Sequence, residues 1–159
     1  MPLALAEFNS AEAADVRPVL AACLAAPRWV ETVLSGRPYA DLAALHAAAD
    51  LPLRRDEVRA AIATHPRIGE PPGGHRAEDG WSRADQSEVD NADEFVAANV
   101  EYEARFGHVF LVRAQGRSGA ELLANLRKRL GNDPESELDV AGAELTEIAH
   151  LRLAKAVTA

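Results

Sequence analysis

Apolar residues recur along this 159-residue chain at steps of three and four, the spacing of one face of an α-helix, and prolines and glycines cut the recurrence into segments. Ser10 is placed to cap a first helix running to about Ala26, with Leu20 and Leu24 on one face. Pro27 fits the first turn of a short helix through Trp29, Val30 and Leu34 that Gly36 ends, and Pro38 opens a third helix to about Ala49. A fourth covers Leu53 to Thr64. It must stop there, because His65 precedes Pro66 and a residue before proline is pushed away from helical dihedrals.

Residues 67–81 read as a polar loop, with Trp81 its main apolar residue. Ser82, with Asp85 three residues on, resembles a capping box for a long helix that runs to about Phe106 and stops at Gly107. The segment from His108 to Ala114 is β-rich in type, yet no partner strand is visible, so it reads as a buried extended connector. Ser118 and Glu121 form a second capping box for a helix ending at Gly131. Asp133 and Pro134 then give the cap and first turn of a last helix, from 134 to about 157. No repeat, low-complexity tract or linker interrupts this order. The expectation is an all-α, single-domain bundle of about seven to eight helices over residues 1–159.

Composition narrows the function classes. Apolar residues make up 48% of the chain but are mostly Ala, Leu and Val, a mix that favours helices over sheets. A net charge of −8 argues against nucleic acid, which needs clustered Lys and Arg, so an anionic substrate would need a local basic group. Cys23 is the sole cysteine, which rules out an intrachain disulfide and a cysteine metal cage. No apolar run approaches the roughly 20 residues of a membrane span, and the first residues lack the basic stretch of a secretion signal. A soluble cytoplasmic protein without membrane or nucleic-acid partners is expected.

Three polar groups sit where the pattern wants apolar ones. Arg152 falls on a stripe with Ala141, Leu145 and Ile148. It is either a snorkelling side chain covering apolar surface or a guanidinium at a cavity floor that clamps a carboxylate. Asp85 shares a helix face with Ser82, Gln86, Val89, Ala92, Val96 and Asn99, and is either a helix cap or an acid aimed at the same cavity. His65 is held between a helix end and a proline, where an imidazole can be structural or catalytic. Asn99, on the core-facing side of that helix, is unexplained by helix formation and should hydrogen-bond across the fold. No histidine pair has zinc-helix spacing, and no nucleophile elbow, phosphate loop or dinucleotide fingerprint is present, so neither metal nor cofactor is expected.

Taken in order, the short pieces resemble one family. They are Phe8-Asn9, Ser35-Gly36-Arg37-Pro38-Tyr39, His65-Pro66-Arg67-Ile68-Gly69-Glu70, Ser82 to Gln86, Asn99-x-x-Tyr102, and Arg105-Phe106-Gly107 running into Phe110-Leu111-Val112. Arg129-Leu130-Gly131-Asn132-Asp133-Pro134-Glu135 and Ile148 to Leu153 complete the set. The chain resembles 2-oxo-4-hydroxy-4-carboxy-5-ureidoimidazoline (OHCU) decarboxylases, which act late in the oxidation of urate to allantoin.

The resemblance implies an all-helical homodimer that acts on a small-molecule substrate and needs no cofactor or metal. It implies catalysis by His65, Asp85 and Arg152. Substrate contacts would come from Pro66, from Ser82, Arg83, Ala84, Asp85 and Gln86, and from the backbone of Phe110, Leu111, Val112, Arg113 and Ala114. Two departures stand out. Asp85 occupies the place of the family's Glu, and His-Pro-Arg-Ile-Gly replaces the commoner His-Pro-Asp-Leu-Ala, which adds the cation Arg67. A family member with a different carboxylated ureide as substrate, and a non-catalytic acidic interaction module, are the alternatives.

Overall fold

The computed structural model describes residues 2–65, 89–114 and 116–159, with side chains of the second stretch from Asp93 onward. These residues form eight α-helices and one short strand pair. In chain order they are β1 (Leu3–Ala4), α1 (Leu5–Ser10), α2 (Ala13–Cys23), α3 (Pro27–Ser35), α4 (Leu42–Ala49), α5 (Arg55–Ile62), α6 (Val89–Phe106), α7 (Gly119–Arg129), α8 (Pro134–Ala156) and β2 (Val157–Thr158). The all-α reading holds. Two compact units divide the chain, the first of residues 1–61 and 142–159, the second of residues 62–141.

In the first unit α2 packs on α3 and α3 on α4. Phe8, Leu20, Trp29, Leu45, Ala49, Leu145 and Leu153 are among its buried residues. The turn after α3 is tied to α1 by polar groups. The Asn9 side chain donates to the Tyr39 carbonyl at 3.0 Å and accepts from its amide at 2.8 Å. Arg37 donates to the carbonyls of Phe8, Ala11 and Leu34. Trp29 Nε1 donates to the Ala49 carbonyl at 2.8 Å, so its buried ring leaves no unsatisfied donor.

The structure shifts several expected boundaries. Ser10 does not cap a helix. It ends α1, which the sequence reading missed, and its hydroxyl donates back to the Ala6 carbonyl at 3.0 Å. α2 then starts at Ala13 and stops at Cys23, short of Ala26. α4 begins after Asp41, whose carboxylate caps the Ala44 amide at 2.8 Å, rather than at Pro38. α5 is shorter at both ends than Leu53 to Thr64. The last helix yields at Val157, where β-branched Val157 and Thr158 pair in parallel with Leu3 and Ala4. The start of the long helix at Ser82 lies outside the described residues.

The second unit is built around α6 and α7. Phe95, Ala98, Tyr102, Phe110, Val112, Leu122, Leu123 and Leu126 form its core, with Phe106 and Leu130 against it. Asn99 is buried, as expected, but Val96 is not on the inner face; it is 64% exposed. The helix turns its aromatics inward instead, since Phe95 and Tyr102 bury more apolar area than a valine. Ser118 caps α7 as expected, with the Glu121 N–H donating to its hydroxyl at 3.2 Å, while that hydroxyl donates to the Glu121 carboxylate at 3.3 Å. Asp133 caps α8 by accepting from the Ser136 amide at 3.2 Å.

Gly36 is required by a close approach. A β-carbon there would lie 2.2 Å from the Tyr39 hydroxyl, which is itself committed to the Val33 carbonyl at 2.7 Å. Its φ of −78° is open to any residue, so the demand is steric only. Gly36→Ala should lower the unfolding free energy by roughly 1–3 kcal/mol. Urea denaturation should show a smaller loss when the substitution is made in a Tyr39→Phe background; an equal loss in both backgrounds would contradict the contact.

Candidate active site

His65 follows the end of α5, where its amide donates to the Ile62 carbonyl at 2.9 Å and its side chain is half-buried. The helix is secured at its other end by Glu57, which accepts from the Arg54 amide at 2.7 Å and pairs through two bonds with Arg28 at 3.0 and 2.7 Å. Arg28 beside it holds the Glu57 carboxyl down at about 2. Pro66, Ser82, Arg83, Ala84, Asp85 and Gln86 lie outside the described residues.

The connector is formed as expected. Between α6 and α7 the backbone from Val109 to Ala114 adopts neither helix nor strand. Phe110, Leu111 and Val112 are buried in succession, Arg113 is half-buried and Ala114 is exposed. Three consecutive buried side chains mean that the segment is covered on more than one side. Gly107 opens it with φ +79°, the left-handed turn that ends α6.

Of the two readings of Arg152, the structure matches the snorkelling side chain rather than a guanidinium at a cavity floor. Arg152 is exposed and donates to the Ala22 carbonyl at 3.3 Å, with its stem along the surface. The buried row of α8 runs Ala141, Leu145, Ala149, Leu153 in steps of four. Each such step advances about 40° around the axis, so the inner side has turned away from the Ala141–Ile148 line before Arg152 is reached. Arg152 borders an open concavity of about 450 Å³ with Val19, Ala22, Cys23, Lys155 and Ala156. Burial pushes the Cys23 thiol up, and the Arg152 charge opposes that shift. Among the described residues, no group of three or more His, Cys, Asp or Glu is placed to hold a metal ion.

What sequence reasoning missed is a charged knot in the second unit. Glu137 is fully buried and Arg129 is 4% exposed. Arg129 ends α7 and Glu137 lies in the first turn of α8, each at the helix end whose dipole favours its charge. Arg129 Nη2 and Nε donate to Glu137 Oε2 at 2.6 and 2.8 Å. The Asn132 side chain donates to Oε1 at 3.0 Å and the Tyr102 hydroxyl donates to Oε2. The remaining arm, Arg129 Nη1, donates to the Leu111 carbonyl at 2.8 Å, and the guanidinium lies 4.6 Å over the Phe110 ring. Burial, then the bond to Glu137, pushes the Tyr102 phenol well above its ordinary range. The available signal was the pairing of a last-turn arginine with a glutamate just inside the next helix, across a turn of four residues from Leu130 to Asp133.

The first unit holds a second polar pair. His46 and His150 bring their Nδ1 atoms to 3.0 Å with ring centroids 5.2 Å apart. The difference is about two ring radii, so the rings meet end to end, one N–H donating to the other nitrogen. His150 Nε2 lies 3.7 Å from Asp50.

Two outcomes follow from these pairs. Glu137→Ala leaves a buried guanidinium short of its partner and should cost about 3–5 kcal/mol in urea unfolding; a loss below 1 kcal/mol would mean that the knot contributes little. Burial, then the neighbouring His150, lowers the His46 pKa below 6.5. The folded state therefore binds that proton less readily than the unfolded chain, and the stability it contributes is present above pH 6.5 and is lost as pH falls below it. The stability gap between the native chain and His46→Gln should narrow from pH 7 to pH 5, and a constant gap would contradict this.

Residues 9–154 match the family model described as OHCU decarboxylase. The chain is 30% identical over 145 residues to "Uric acid degradation bifunctional protein TTL" of Arabidopsis thaliana, covering 84% of this chain and 44% of that protein. Over 55 residues it is 40% and 42% identical to the 2-oxo-4-hydroxy-4-carboxy-5-ureidoimidazoline decarboxylases of Amia calva and Mus musculus, covering 35% of this chain and 31% of each. The chain thus spans less than half the length of these curated relatives. A crystal structure of OHCU decarboxylase in the presence of (S)-allantoin superposes with a TM-score of 0.73 at 28% identity, over 91% of this chain and 97% of that one. A crystal structure of (S)-allantoin synthase shares the fold, with a TM-score of 0.74 at 18% identity over 99% of this chain and 54% of that one. With the family model matched from Asn9 to Ala154, the chain belongs to the OHCU decarboxylase family.

Proposed function

We propose that this chain decarboxylates 2-oxo-4-hydroxy-4-carboxy-5-ureidoimidazoline to (S)-allantoin and carbon dioxide in urate breakdown. The observation that carries the reading is the likeness, across 91% of the chain, to an OHCU decarboxylase crystallised with (S)-allantoin. The family match runs through both compact units, which supports a single working domain over residues 1–159. A homodimer in the cytoplasm completes the proposal. It agrees with the acidic composition, and among the described residues no helix is long and apolar enough to cross a membrane.

The chemistry assigns each group a task. Breaking the bond between the ring carbon and the departing carboxylate leaves an electron pair that the adjacent carbon–nitrogen double bond can hold. A proton must then reach one face of the ring. His65, whose type titrates near pH 6.5, supplies it. Asp85 orients His65 and polarises the substrate hydroxyl, while Arg152 fixes an anionic or carbonyl group. Pro66 and the Ser82–Gln86 turn shape the pocket, and backbone amides from Phe110 to Ala114 hold the ureido or ring carbonyls. Those amides belong to no helix or strand ladder among the described residues.

Asp85 favours a second reading. Its carboxylate is one methylene shorter than the Glu of the family, a retraction of about 1 Å that can cost on the order of a hundredfold in rate. A different carboxylated ureide as substrate would account for it. With substrate generated in situ from urate, His65→Ala should lower turnover roughly 10²–10⁴-fold at unchanged helicity. A near-normal rate would remove His65 from its role. Asp85→Glu should raise turnover if the native reaction is the one proposed. Turnover of a related ureide alone would favour the second reading, and no turnover of any would leave a binding module.

A further inference from the structure

The connector between α6 and α7 is held by one side chain at one peptide unit. Arg129 Nη1 donates to the Leu111 carbonyl at 2.8 Å, while the same guanidinium is gripped by Glu137 through Nη2 and Nε. Asn125 Oδ1 accepts from Nη1 at 3.4 Å, and Phe110 covers the guanidinium face at 4.6 Å. The guanidinium is therefore fixed on every edge.

The Leu111 carbonyl and the Val112 N–H are two ends of one peptide group. That group is planar and trans, so its C=O and N–H point in opposite directions. A cation anchoring the oxygen sets the direction of the N–H, and a charge-assisted bond to the oxygen also polarises the unit and strengthens the N–H as a donor. Val112 is buried, and its amide lies outside every helix and strand ladder among the described residues.

We propose that Arg129, gripped by Glu137, is a positioning residue: it aims and polarises the Val112 amide that holds a carbonyl of the substrate. The proposal rests on the decarboxylase reading for the identity of that substrate. It adds a buried ion pair as the part that sets ligand affinity along the connector. A purely structural role for the pair predicts lost stability and nothing else.

The test compares Arg129→Lys with Trp29→Phe. The lysine keeps a positive charge beside Glu137, but a single ammonium cannot hold both the carboxylate and the Leu111 carbonyl in the geometry of the fork. Trp29→Phe removes a buried hydrogen bond in the other unit and serves as a stability control. Arg129→Lys should raise KM for OHCU about tenfold with kcat within threefold, as expected when a contact shared by ground and transition states is lost. Exchange of the Val112 amide with solvent should quicken by a similar factor. Trp29→Phe should lower Tm with KM and Val112 exchange unchanged.

KM and Val112 exchange that stay at native values in folded Arg129→Lys would overturn the proposal. So would equal kinetic losses in Trp29→Phe. If Arg129→Lys does not fold, Glu137→Gln, which loosens the grip while keeping Arg129, carries the same expectations and the same overturning result. A native chain with no turnover would sink the decarboxylase reading by itself; Val112 exchange in the variants would then decide the positioning claim alone.

Discussion

A carboxylate and a guanidinium buried together constrain the second unit more than any apolar contact does. Neither Glu137 nor Arg129 can remain charged away from water unless its hydrogen-bonding capacity is filled. That requirement recruits Tyr102 from α6, Asn132 from the turn between α7 and α8, and the Leu111 carbonyl from the connector. Three separate stretches of chain, at Tyr102, at Leu111 and at the corner from Arg129 to Glu137, must therefore arrive in register for the pair to be tolerated. The aromatic core of Phe95, Tyr102 and Phe110 supplies the driving force for collapse, but it is non-directional. The ion pair supplies direction.

The first unit fastens its backbone with half-buried groups, one amide and one guanidinium. Its turn after α3 is stitched to the end of α1 by the Asn9 amide and by the donations of Arg37 to Phe8 and Ala11. These are among the short pieces through which the sequence resembles its family, and their roles are structural. The resemblance at Phe8-Asn9 and at Gly36-Arg37-Pro38-Tyr39 records how a helix end and a turn are fastened. The resemblance at Arg129 to Glu135 records how a helix pair is closed around the connector.

Much of the architecture was legible because helix ends carry local chemistry. Ser118 with Glu121, Asp133 with Pro134, and Pro27 with Gly36 all act within a few residues of themselves, and each lies where the pattern put it. The connector was legible for the opposite reason: β-branched and aromatic residues with no partner strand leave few alternatives. What the sequence concealed depends on distant contacts. The pairing of Leu3 and Ala4 with Val157 and Thr158 joins chain ends that no periodicity relates. The outward turn of Val96 follows from which residues of α6 win the core. The exposure of Arg152 follows from a slow rotation of the buried row along α8. Glu137 was hidden because a glutamate in a first helical turn is ordinarily a solvated charge. His65 follows a helix end and the connector lies between α6 and α7, Arg152 is at the surface, and Asp85 lies outside the described residues.

The central claim is that the connector backbone, fixed by Arg129, is where the ligand is held. The most direct measurement is a titration of the isotope-labelled chain with (S)-allantoin, followed at backbone amides by NMR. The account predicts saturable shifts concentrated at Phe110 to Arg113, largest at Val112, and much weaker ones with the R enantiomer. Saturable shifts elsewhere with an unmoved connector would contradict it.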